Sequence, residues 1–567
     1  MSRFRRFVLI FVEIAILSAL ILATRCANYQ DVFVAGNIYF VDADCYARMT
    51  RVQICDAQPG LIVRHHVFEN FPQGTTPHTT APFDYLILGL SLLLKPFTAQ
   101  ALDLAGAFVS PLLALLGGSF LWWWSRRVQF RYRWIMLILY AISPILVHGT
   151  ALGRPDHQSL SMLLVTIAIC AEWSLRTKAA DQPSPRGYGL ASTAASTDQD
   201  GWSVVSGIAW GLAIWNSAYE SLILFLLVIV FQLACHAIAQ QRRVPGEKGA
   251  PHSGAATPKS RRAGWVCFVL IIAIALFIER RIPSLSILHP DQIFKNWSRT
   301  IGELVHVSLT NPVWLRWCGY LLLVAPFLIL LSLKRQRDGA HPFDSAQDRL
   351  GRALPVYVLL IATYFLTIWQ ARWGYFFVLI FALALPVLLA PIKSPAAVWI
   401  AFVLSIFPIL RDWDERLWPN ETQLAARVER RNESAQLREM ALSLQSSEVH
   451  PFLAPWWLSP SMAYWSSQPG VAGSSHESLN GIADSARFFL SEDLQKAREI
   501  LQNHRVAWVC AYDADRVAQN SAAVLSQALP LPPLCRVLDR TPGQAPRFLI
   551  FSAQTAVFKL YSVADER

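Results

Sequence analysis

The chain has 567 residues, of which 54% are hydrophobic and 16% are charged, and it contains 21 tryptophans. This apolar content exceeds what a soluble fold of the same length needs to bury, which excludes an ordinary soluble protein and favours an integral membrane protein. The formal net charge is +11. Basic loops beside membrane spans favour anionic lipid surfaces, so nucleic-acid binding is the less economical interpretation.

Apolar runs recur from residue 7 to residue 410. Many approach the length of roughly 20 residues that a helix needs to cross about 30 Å of hydrocarbon. They predict a polytopic α-helical membrane region of about eleven spans. The predicted spans are 7–24, 101–124, 134–151, 159–175, 203–216, 219–238, 264–279, 313–333, 353–369, 373–391 and 396–410.

Basic residues set the predicted orientation, because Lys and Arg flank the cytoplasmic ends of spans. Arg3, Arg5 and Arg6 place the N-terminus in the cytoplasm. The run 7–24 is predicted to be a retained first span rather than a signal peptide, since no small-x-small cleavage site stands out beyond it. Further cytoplasmic markers are Arg126, Arg127, Arg131, Arg133, Arg176, Lys178, Arg242, Arg243, Lys248, Lys259, Arg261, Arg262, Lys334, Arg335 and Arg337.

The apolar run 83–97 is predicted to be an interfacial or re-entrant helix. Counting it as a span would move the basic cluster at 126–133 to the outer side, against the charge rule. Residues 25–100 then form a long first outer loop, and Asp156 lies in the second outer loop.

The same topology places Glu303 in a third outer loop and Arg372 at a tight outer hairpin. Residues 411–567 are mixed and polar, and they predict a separate soluble domain on the outer side, after a transmembrane domain of residues 1–410. Within it, the helix-like run 492–504 leads into the strand-like run 506–512, which indicates a mixed α/β domain.

The first outer loop carries two carboxylates two residues apart, Asp42 and Asp44. Such a pair can aim hard oxygen ligands at a divalent cation, although a loop turn or a helix cap is the alternative interpretation. In the second loop Asp156 and His157 precede an apolar run, where Asp156 is also a candidate N-cap. The third loop contains Thr300-Ile301-Gly302-Glu303.

Taken together, these motifs and their topology resemble the oligosaccharyltransferase catalytic subunits of the GT-C glycosyltransferase superfamily, over most of the chain. In that family an Asp in the first outer loop is followed by Arg six positions on, a spacing that Asp42 and Arg48 keep. Asp44 and Tyr46 give the Asp-x-Asp-x-Tyr variant, so either aspartate is a candidate metal ligand.

The other family motifs are matched to different degrees. Residues 300–303 match Thr-Ile-x-Glu in full, and in the family this Glu lies beside the metal and the acceptor. The second motif is an Asp followed by His-His or by another acid, and here Gln158 follows Asp156 and His157. Arg372 is similar to the family arginine that meets the donor pyrophosphate. An interfacial anchor is its alternative role, since aromatic residues surround it.

The acceptor-reading motif of the family, Trp-Trp-Asp-Tyr-Gly, keeps only Trp456 and Trp457 here, before Leu458-Ser459-Pro460. The acceptor therefore cannot be carried over from the family. Because the acidic position is lost, the pocket that would recognise an Asn-x-Ser/Thr acceptor is not expected to be kept.

The resemblance implies a GT-C type fold and transfer of a glycan from a polyprenyl-(pyro)phosphate donor to a protein or other acceptor, by metal-dependent attack at the sugar C1. The implied location is a bacterial inner (plasma) membrane, with the active site and the C-terminal domain extracytoplasmic. The implied residues are Asp42, Asp44, Asp156 and Glu303 for catalysis; Asp42, Asp44, Asp156 and His157 for Mn²⁺ or Mg²⁺; Arg48 and Arg372 for the donor; and Trp456 and Trp457 for the acceptor.

Two other hypotheses remain open. A different GT-C enzyme would move one sugar from a polyprenyl monophosphate to a lipid, glycan or hydroxyl acceptor; the altered tryptophan motif favours it, and Thr-Ile-Gly-Glu argues against it. A polyprenyl-glycan transporter or binding protein is the non-catalytic alternative, but the chain shows no internal symmetry of the kind that transporters have.

The nine cysteines show no metal-type spacing. Cys45 with Cys55, and Cys510 with Cys535, are candidate disulfides in an oxidising compartment, although the sequence does not establish the pairing.

Overall fold

The computed structural model describes residues 3–180, 191–241, 258–282, 291–338 and 346–564. The cytoplasmic markers Arg242, Arg243 and Lys248 lie outside these residues. The helices up to residue 417 are α1 Arg3–Arg25, α2 Tyr29–Val32, α3 Ala43–Ala57, α4 Ala81–Leu94, α5 Ala101–Arg127, α6 Arg133–Ile142, α7 Pro144–His148, α8 His157–Ala180, α9 Ala191–Asn216, α10 Ala218–Gln241, α11 Pro258–Glu279, α12 Gln292–Ser298, α13 Val313–Cys318, α14 Leu321–Asp338, α15 Ala346–Trp369, α16 Gly374–Leu389, α17 Pro395–Ser405 and α18 Phe407–Leu417.

Among the described residues, five helices are long and apolar enough to cross a membrane, or six if one bent pair counts as a single span. They are Phe7–Arg25, Ala101–Arg127, His157–Leu175, Arg261–Glu279 and Ala371–Leu389, with Pro395–Ser405 and Phe407–Leu417 as the bent pair. Long apolar helices in this number are typical of an integral membrane protein. The predicted count of about eleven spans is not confirmed, because several other predicted spans are shorter apolar helices. The helix Ala81–Leu94, which covers most of the predicted interfacial helix, is also a shorter apolar helix.

Two predicted spans are broken where their sequences carry helix-breaking residues. The span 134–151 stops at Ser143, which is extended because Pro144 follows it and disfavours a helical conformation at the preceding residue. The span 313–333 is interrupted at Gly319, whose φ is +74° and whose backbone lies so close to Ser405 that a Cβ would sit 2.5 Å from the Ser405 carbonyl oxygen.

The C-terminal part is a mixed α/β unit, as its sequence predicts. Its sheet has the strand order β3-β4-β6-β5, in which β3 and β4 are parallel and the other pairs are antiparallel. Helix α18 runs through residue 410, so the predicted division into 1–410 and 411–567 falls inside a helix and stays a prediction. The remaining elements are β1 Phe33–Val34, β2 Asn37–Ile38, α19 Glu421–Leu442, β3 Phe452–Leu453, α20 Ser459–Ser466, α21 Leu479–Leu490, α22 Leu494–Asn503, β4 Trp508–Ala511, α23 Ala514–Leu525, α24 Leu534–Arg540, β5 Leu549–Gln554 and β6 Lys559–Val563.

The first outer loop and the C-terminal unit share one hydrophobic core. Helix α3 of the loop packs against α20 of the unit. The ring of Tyr46 lies 4.9 Å from that of Trp465 in an edge-on contact, and Tyr39 meets the same indole at 5.6 Å. Aromatic pairs of this geometry add to the free energy of burial. This shared core fixes the loop that carries Asp42 and Asp44 against the C-terminal unit.

The predicted disulfides are not formed. Cys45, Cys55, Cys510 and Cys535 are all free thiols, and all four are buried. They pack as small apolar side chains in the shared core, which is the common role of a buried cysteine.

Candidate active site

One cavity lies between the predicted outer loops and the C-terminal unit. Six of the residues singled out from the sequence line it: Asp44, Arg48, Asp156, His157, Glu303 and Arg372. They come from chain segments more than 300 residues apart, so the fold assembles the cavity by long-range packing. Asp42 contacts this group through Arg154.

The two aspartates of the first loop differ in role. Asp42 is the N-cap of α3, and its Oδ1 accepts a hydrogen bond from the Cys45 amide at 3.0 Å. The helix-cap interpretation therefore applies to Asp42, although its second oxygen remains available for an ion pair. Asp44 lies in the first turn of α3, and its side chain is accessible from the open cavity, although protein encloses it on the other sides.

Arg154 is the centre of the acidic cluster. Its Nη1 lies 3.1 Å from Asp42 Oδ2, and its Nη2 lies 2.6 Å from Glu303 Oε1 and 3.8 Å from Asp156 Oδ2. The Arg154 side chain is only 6% exposed. The planar guanidinium suits this role because it presents several donors in a fixed plane. Carboxylates from all three outer loops thus share one cation, to which the sequence analysis gives no role.

A closed set of hydrogen bonds holds Arg154 and Glu303 in place. Arg154 Nη1 donates to His148 Nε2 at 3.1 Å, so Nδ1 of this imidazole carries the proton and donates to the Tyr375 hydroxyl at 2.8 Å. The Tyr375 hydroxyl in turn donates to Glu303 Oε1 at 2.9 Å, and Gln158 donates to Glu303 Oε2 at 2.9 Å. The hydrogen bonds link Arg154, His148, Tyr375 and Glu303 in a ring, although the Nε of Arg154 has no acceptor among the described residues.

The third outer loop is fixed to the hairpin that carries Arg372 by backbone hydrogen bonds. The Arg372 amide donates to the Glu303 carbonyl at 2.9 Å, and the Ala371 amide donates to the Val305 carbonyl at 3.0 Å. The Glu303 carboxylate and the Arg372 guanidinium are therefore positioned as a unit.

Both predicted donor-binding arginines form buried ion pairs. Arg372 Nη2 lies 2.6 Å from Glu220 Oε1 in α10, and its guanidinium also lies over the Tyr219 ring. Arg48 Nη1 lies 2.7 Å from Asp84 Oδ1 in α4. The Arg372 Nε atom makes no hydrogen bond within the described part of the chain, so this guanidinium keeps a donor for a ligand.

The charges do not balance within the cavity. Burial would raise the pKa of Asp156, but His157, whose Nδ1 lies 2.7 Å away, and Arg154 outweigh burial and lower it. Arg154 similarly outweighs burial at Glu303 and lowers its pKa. At Asp44, burial and the neighbouring charge of Asp42 raise the pKa to about 7. Asp42, Asp156 and Glu303 thus share the Arg154 cation, whereas Asp44 has no ion pair among the described residues.

The two tryptophans of the predicted acceptor motif lie behind the cavity wall. Trp456 is 9% exposed, and its ring meets that of Trp297, which lines the cavity, at 6.1 Å. Trp457 packs edge-on against Trp456 at 5.6 Å. Neither indole N–H finds an acceptor among the described residues. Their acceptor-binding role stays a prediction.

Sequence analysis missed three further cavity residues, His78, His476 and Glu477, whose ligand atoms lie within 4.8 Å of one another. His78 belongs to the first outer loop, and the other two residues stand before α21 in the C-terminal unit. Nothing in the sequence links positions 78 and 477, because no spacing rule connects residues 399 positions apart.

The fold and the site together define a polytopic α-helical membrane protein, in which carboxylates and arginines of several predicted outer loops meet beside a C-terminal α/β unit. No family model and no curated protein sequence matches the chain. Solved structures match it along its whole length, and their likeness confirms the fold expected from the resemblance.

The archaeal oligosaccharyltransferase AglB from Archaeoglobus fulgidus, in complex with an inhibitory peptide and a dolichol-phosphate, superposes with a TM-score of 0.66 and 15% identity, over 100% of this chain and 75% of that one. The Archaeoglobus fulgidus oligosaccharyltransferase in complex with Zn and sulfate gives a TM-score of 0.61 at 15% identity, over 97% and 73% of the two chains. ArnT from Cupriavidus metallidurans, bound to undecaprenyl phosphate, gives a TM-score of 0.52 at 13% identity, over 100% and 99%.

Proposed function

We propose that the protein is a membrane glycosyltransferase of oligosaccharyltransferase type, which transfers a glycan from a polyprenyl-(pyro)phosphate donor to a protein or other acceptor on the extracytoplasmic face. The observation that carries this proposal is the convergence of Asp42, Asp156 and Glu303 on Arg154, beside Arg372, in a single cavity. The lipid phosphates in the AglB and ArnT structures support a polyprenyl-linked donor.

The donor phosphate is placed against Arg372. This guanidinium lines the cavity, is anchored by Glu220, and keeps its Nε donor without a partner among the described residues. A fixed arginine of this kind binds phosphate oxygens well. When the bond between the sugar C1 and the phosphate oxygen breaks, the electron pair stays on that oxygen, and Arg372 stabilises the developing negative charge.

The acceptor approaches C1 from the side of the carboxylates. Its nucleophilic oxygen or nitrogen forms the new bond to C1, with inversion at that carbon if the displacement is direct. The acceptor proton passes to Asp44, which opens onto the cavity and forms no ion pair within the described residues. Glu303, held by Arg154, Tyr375 and Gln158, orients the acceptor. Trp456 and Trp457 are assigned to the acceptor side through Trp297.

The donor groups of the cavity fit the divalent cation that the resemblance implies. Asp42, Asp44 and Asp156 offer carboxylate oxygens and His157 offers an imidazole, the groups that bind Mn²⁺ and, in the case of carboxylates, Mg²⁺. Arg154 pairs with Asp42, Asp156 and Glu303 but not with Asp44, whose pKa is raised first by burial and then by the charge of Asp42. A bound cation would offset both effects. When bound, the ion would supply further positive charge against the departing phosphate.

The test is transfer of a labelled polyprenyl-pyrophosphate glycan by the purified full-length protein, with Mn²⁺ or with EDTA, to peptide and lipid acceptors. Glu303→Gln and Asp156→Asn are expected to lower the rate roughly 100-fold or more, the size of effect seen when one group that stabilises the reacting centre is removed. Asp291→Asn is the matched control, because Asp291 is an exposed N-cap of α12 in the same loop and Asn also caps helices. Transfer by both variants at the wild-type rate would contradict the proposal.

A second candidate uses a polyprenyl-monophosphate sugar as donor. The specific observation in its favour is size: the match covers 99% of the ArnT chain but only 75% of the AglB chain. The same assay with a polyprenyl-monophosphate sugar distinguishes the two donors. If neither donor supports transfer while both bind, the protein is a non-catalytic binder of lipid-linked glycans.

A further inference from the structure

His78, His476 and Glu477 meet at the end of the cavity formed by the C-terminal unit. Nδ1 of His78 lies 2.6 Å from Glu477 Oε1, and Nε2 of His476 lies 3.5 Å from the same oxygen. The two imidazole rings are 4.8 Å apart. Ligand atoms around a tetrahedral zinc ion lie about 3.3 Å apart, given Zn–N and Zn–O distances of about 2.0–2.2 Å. The observed separations bracket this value.

The Glu477 carboxylate is buried without a full set of partners. Its side chain is 10% exposed. Its Oε1 accepts hydrogen bonds from the amide and the Nδ1 of His78, both at 2.6 Å, but its Oε2 makes no hydrogen bond within the described part of the chain. A buried carboxylate requires a cation or several donors to offset the loss of hydration. A divalent cation bound by the two imidazoles and this carboxylate would offset the loss of hydration at Oε2.

Arg281 contacts the loop that carries His78 and is paired with other groups. Arg281 forms an ion pair with Glu279 at 3.6 Å, and its guanidinium donates to the carbonyl oxygens of Pro77 and Thr79. These carbonyls flank His78, so Arg281 holds the loop in the conformation that presents this imidazole to Glu477. The site is therefore preorganised from the side of the first outer loop.

We propose that His78, His476 and Glu477 form a binding site for a transition-metal ion of the Zn²⁺ class, with its own ligands and adjoining the acidic cluster, since the His78 ring lies 6.1 Å from that of His157. The donor set is two imidazole nitrogens and one carboxylate oxygen, which selects Zn²⁺ over Mg²⁺ or Ca²⁺. Three protein ligands leave a fourth position, and all three residues line the cavity, so this position faces the cavity. The ion joins the first outer loop to the C-terminal unit.

The experiment measures metal binding rather than transfer, so its outcome is independent of the proposed function. The purified full-length protein is stripped with a chelator and reloaded with Zn²⁺, and the bound metal is counted by mass spectrometry; Co²⁺ is then used as a spectroscopic probe. Glu477→Gln and His78→Ala are expected to weaken Zn²⁺ binding by at least about 100-fold, the upper end of the loss caused by changing groups that only support ligands. His306→Ala, which removes an exposed histidine of the third outer loop, is the matched control and keeps wild-type binding.

A double variant, Asp44→Asn with Asp156→Asn, separates the two sites. The proposal expects one tightly bound Zn²⁺ to persist in this variant, with the visible absorption of tetrahedral Co²⁺. The proposal would be overturned if the double variant lost its Zn²⁺ while Glu477→Gln and His78→Ala kept theirs, because the metal would then belong to the acidic cluster. Misfolding is separated from loss of ligands by thermal unfolding in the double-variant background, because Zn²⁺ must raise the melting temperature of Asp44→Asn with Asp156→Asn but not that of the same variant with Glu477→Gln added.

Discussion

The two ends of the cavity use charge in opposite ways. At one end, three carboxylates share a single guanidinium, since Asp42, Asp156 and Glu303 all converge on Arg154. At the other end, one carboxylate is shared by two imidazoles. The first arrangement contains its own permanent cation, whereas the second depends on protonation or on a bound ion.

This difference sets how much each end depends on a single residue. Removing Arg154 leaves three buried or half-buried carboxylates without their shared cation, while most other substitutions at the cavity remove one contact at a time. The fold of the acidic end is therefore expected to be sensitive to one substitution above all others. At the histidine end, His476 and Glu477 stand just before α21, so the position of both side chains is expected to depend on how the backbone of α21 packs.

The largest effect is expected for Arg154→Gln, which should lower the free energy of unfolding by about 3–5 kcal/mol. The substitution removes the cation of a buried ion-pair network and leaves its carboxylates uncompensated. Arg154→Lys keeps the charge but not the planar fork, so an intermediate loss is expected. Denaturant unfolding of the purified protein measures both. Lys95→Gln, which breaks an exposed pair with Asp56, is the control and should cost less than about 1 kcal/mol. If Arg154→Gln is no less stable than Lys95→Gln, Arg154 does not hold the cluster together.

The histidine end is tested through the backbone at Gly481 in α21. A Cβ at this position would sit 1.9 Å from the Val471 carbonyl oxygen, in the segment that leads to His476 and Glu477. Gly481→Ala should therefore destabilise the protein by about 1–3 kcal/mol, the usual cost of overpacking, and should also weaken Zn²⁺ binding. Gly543→Ala is the control, since a Cβ there meets no atom within 4 Å. Equal stability of the two variants would show that α21 can move away from residue 471 at no cost.

A smaller effect is expected for Tyr375→Phe at the acidic end. The substitution removes the hydroxyl that donates to Glu303 and accepts from His148. The loss should be roughly 1–2 kcal/mol, because Arg154 still donates to Glu303 and only His148 is left without its partner. Tyr357→Phe is the comparison and should lower the melting temperature less, because among the described residues this hydroxyl bonds only to Ser332. A result in the reverse order would mean that the closed set of hydrogen bonds does not stabilise the cluster.

The motif residues and the fold class were accessible from the sequence because short-range chemistry encodes them. Asp44, Asp156 and Glu303 stand out as acids in loops between apolar runs, and the structure brings them to one cavity. Pro144 and Gly319, where two predicted spans are broken, were also visible in the sequence. The shorter helices that result are one reason why the described residues do not confirm the predicted count of about eleven spans.

The partners of the motif residues were not accessible. The hydrogen bond between His148 and Tyr375 joins positions 227 residues apart, and the contact between His78 and Glu477 joins positions 399 apart. No periodicity relates such positions. Arg154 lies only two residues before Asp156. In the sequence, an arginine so close to a predicted metal ligand is not expected at the metal site, because the two positive charges would repel. Only the folded structure shows that three carboxylates surround this arginine.

The smallest expected effect is a pH dependence at the contact between the first outer loop and α21. His504 donates through one ring nitrogen to Asp484 at 3.0 Å and contacts the Phe71 carbonyl through the other. Burial alone would lower the pKa of His504, but the hydrogen bonds to Asp484 and Phe71 outweigh it and raise the pKa. At Asp484, burial is likewise outweighed by His504 and Arg487, and the pKa is lowered.

The raised pKa of His504 stabilises the fold fully below about pH 6.5 and loses this effect as the pH rises through the folded value. The lowered pKa of Asp484 stabilises the fold above about pH 3.9 and loses this effect as the pH falls. The pair is therefore expected to contribute most between roughly pH 4 and 6.5, and by no more than about 1 kcal/mol because Asp484 is partly exposed to water. Melting temperatures across this range should show a shallow maximum in the wild type that His504→Gln flattens. An unchanged profile in His504→Gln would assign the pH dependence to the other titrating groups of the cavity.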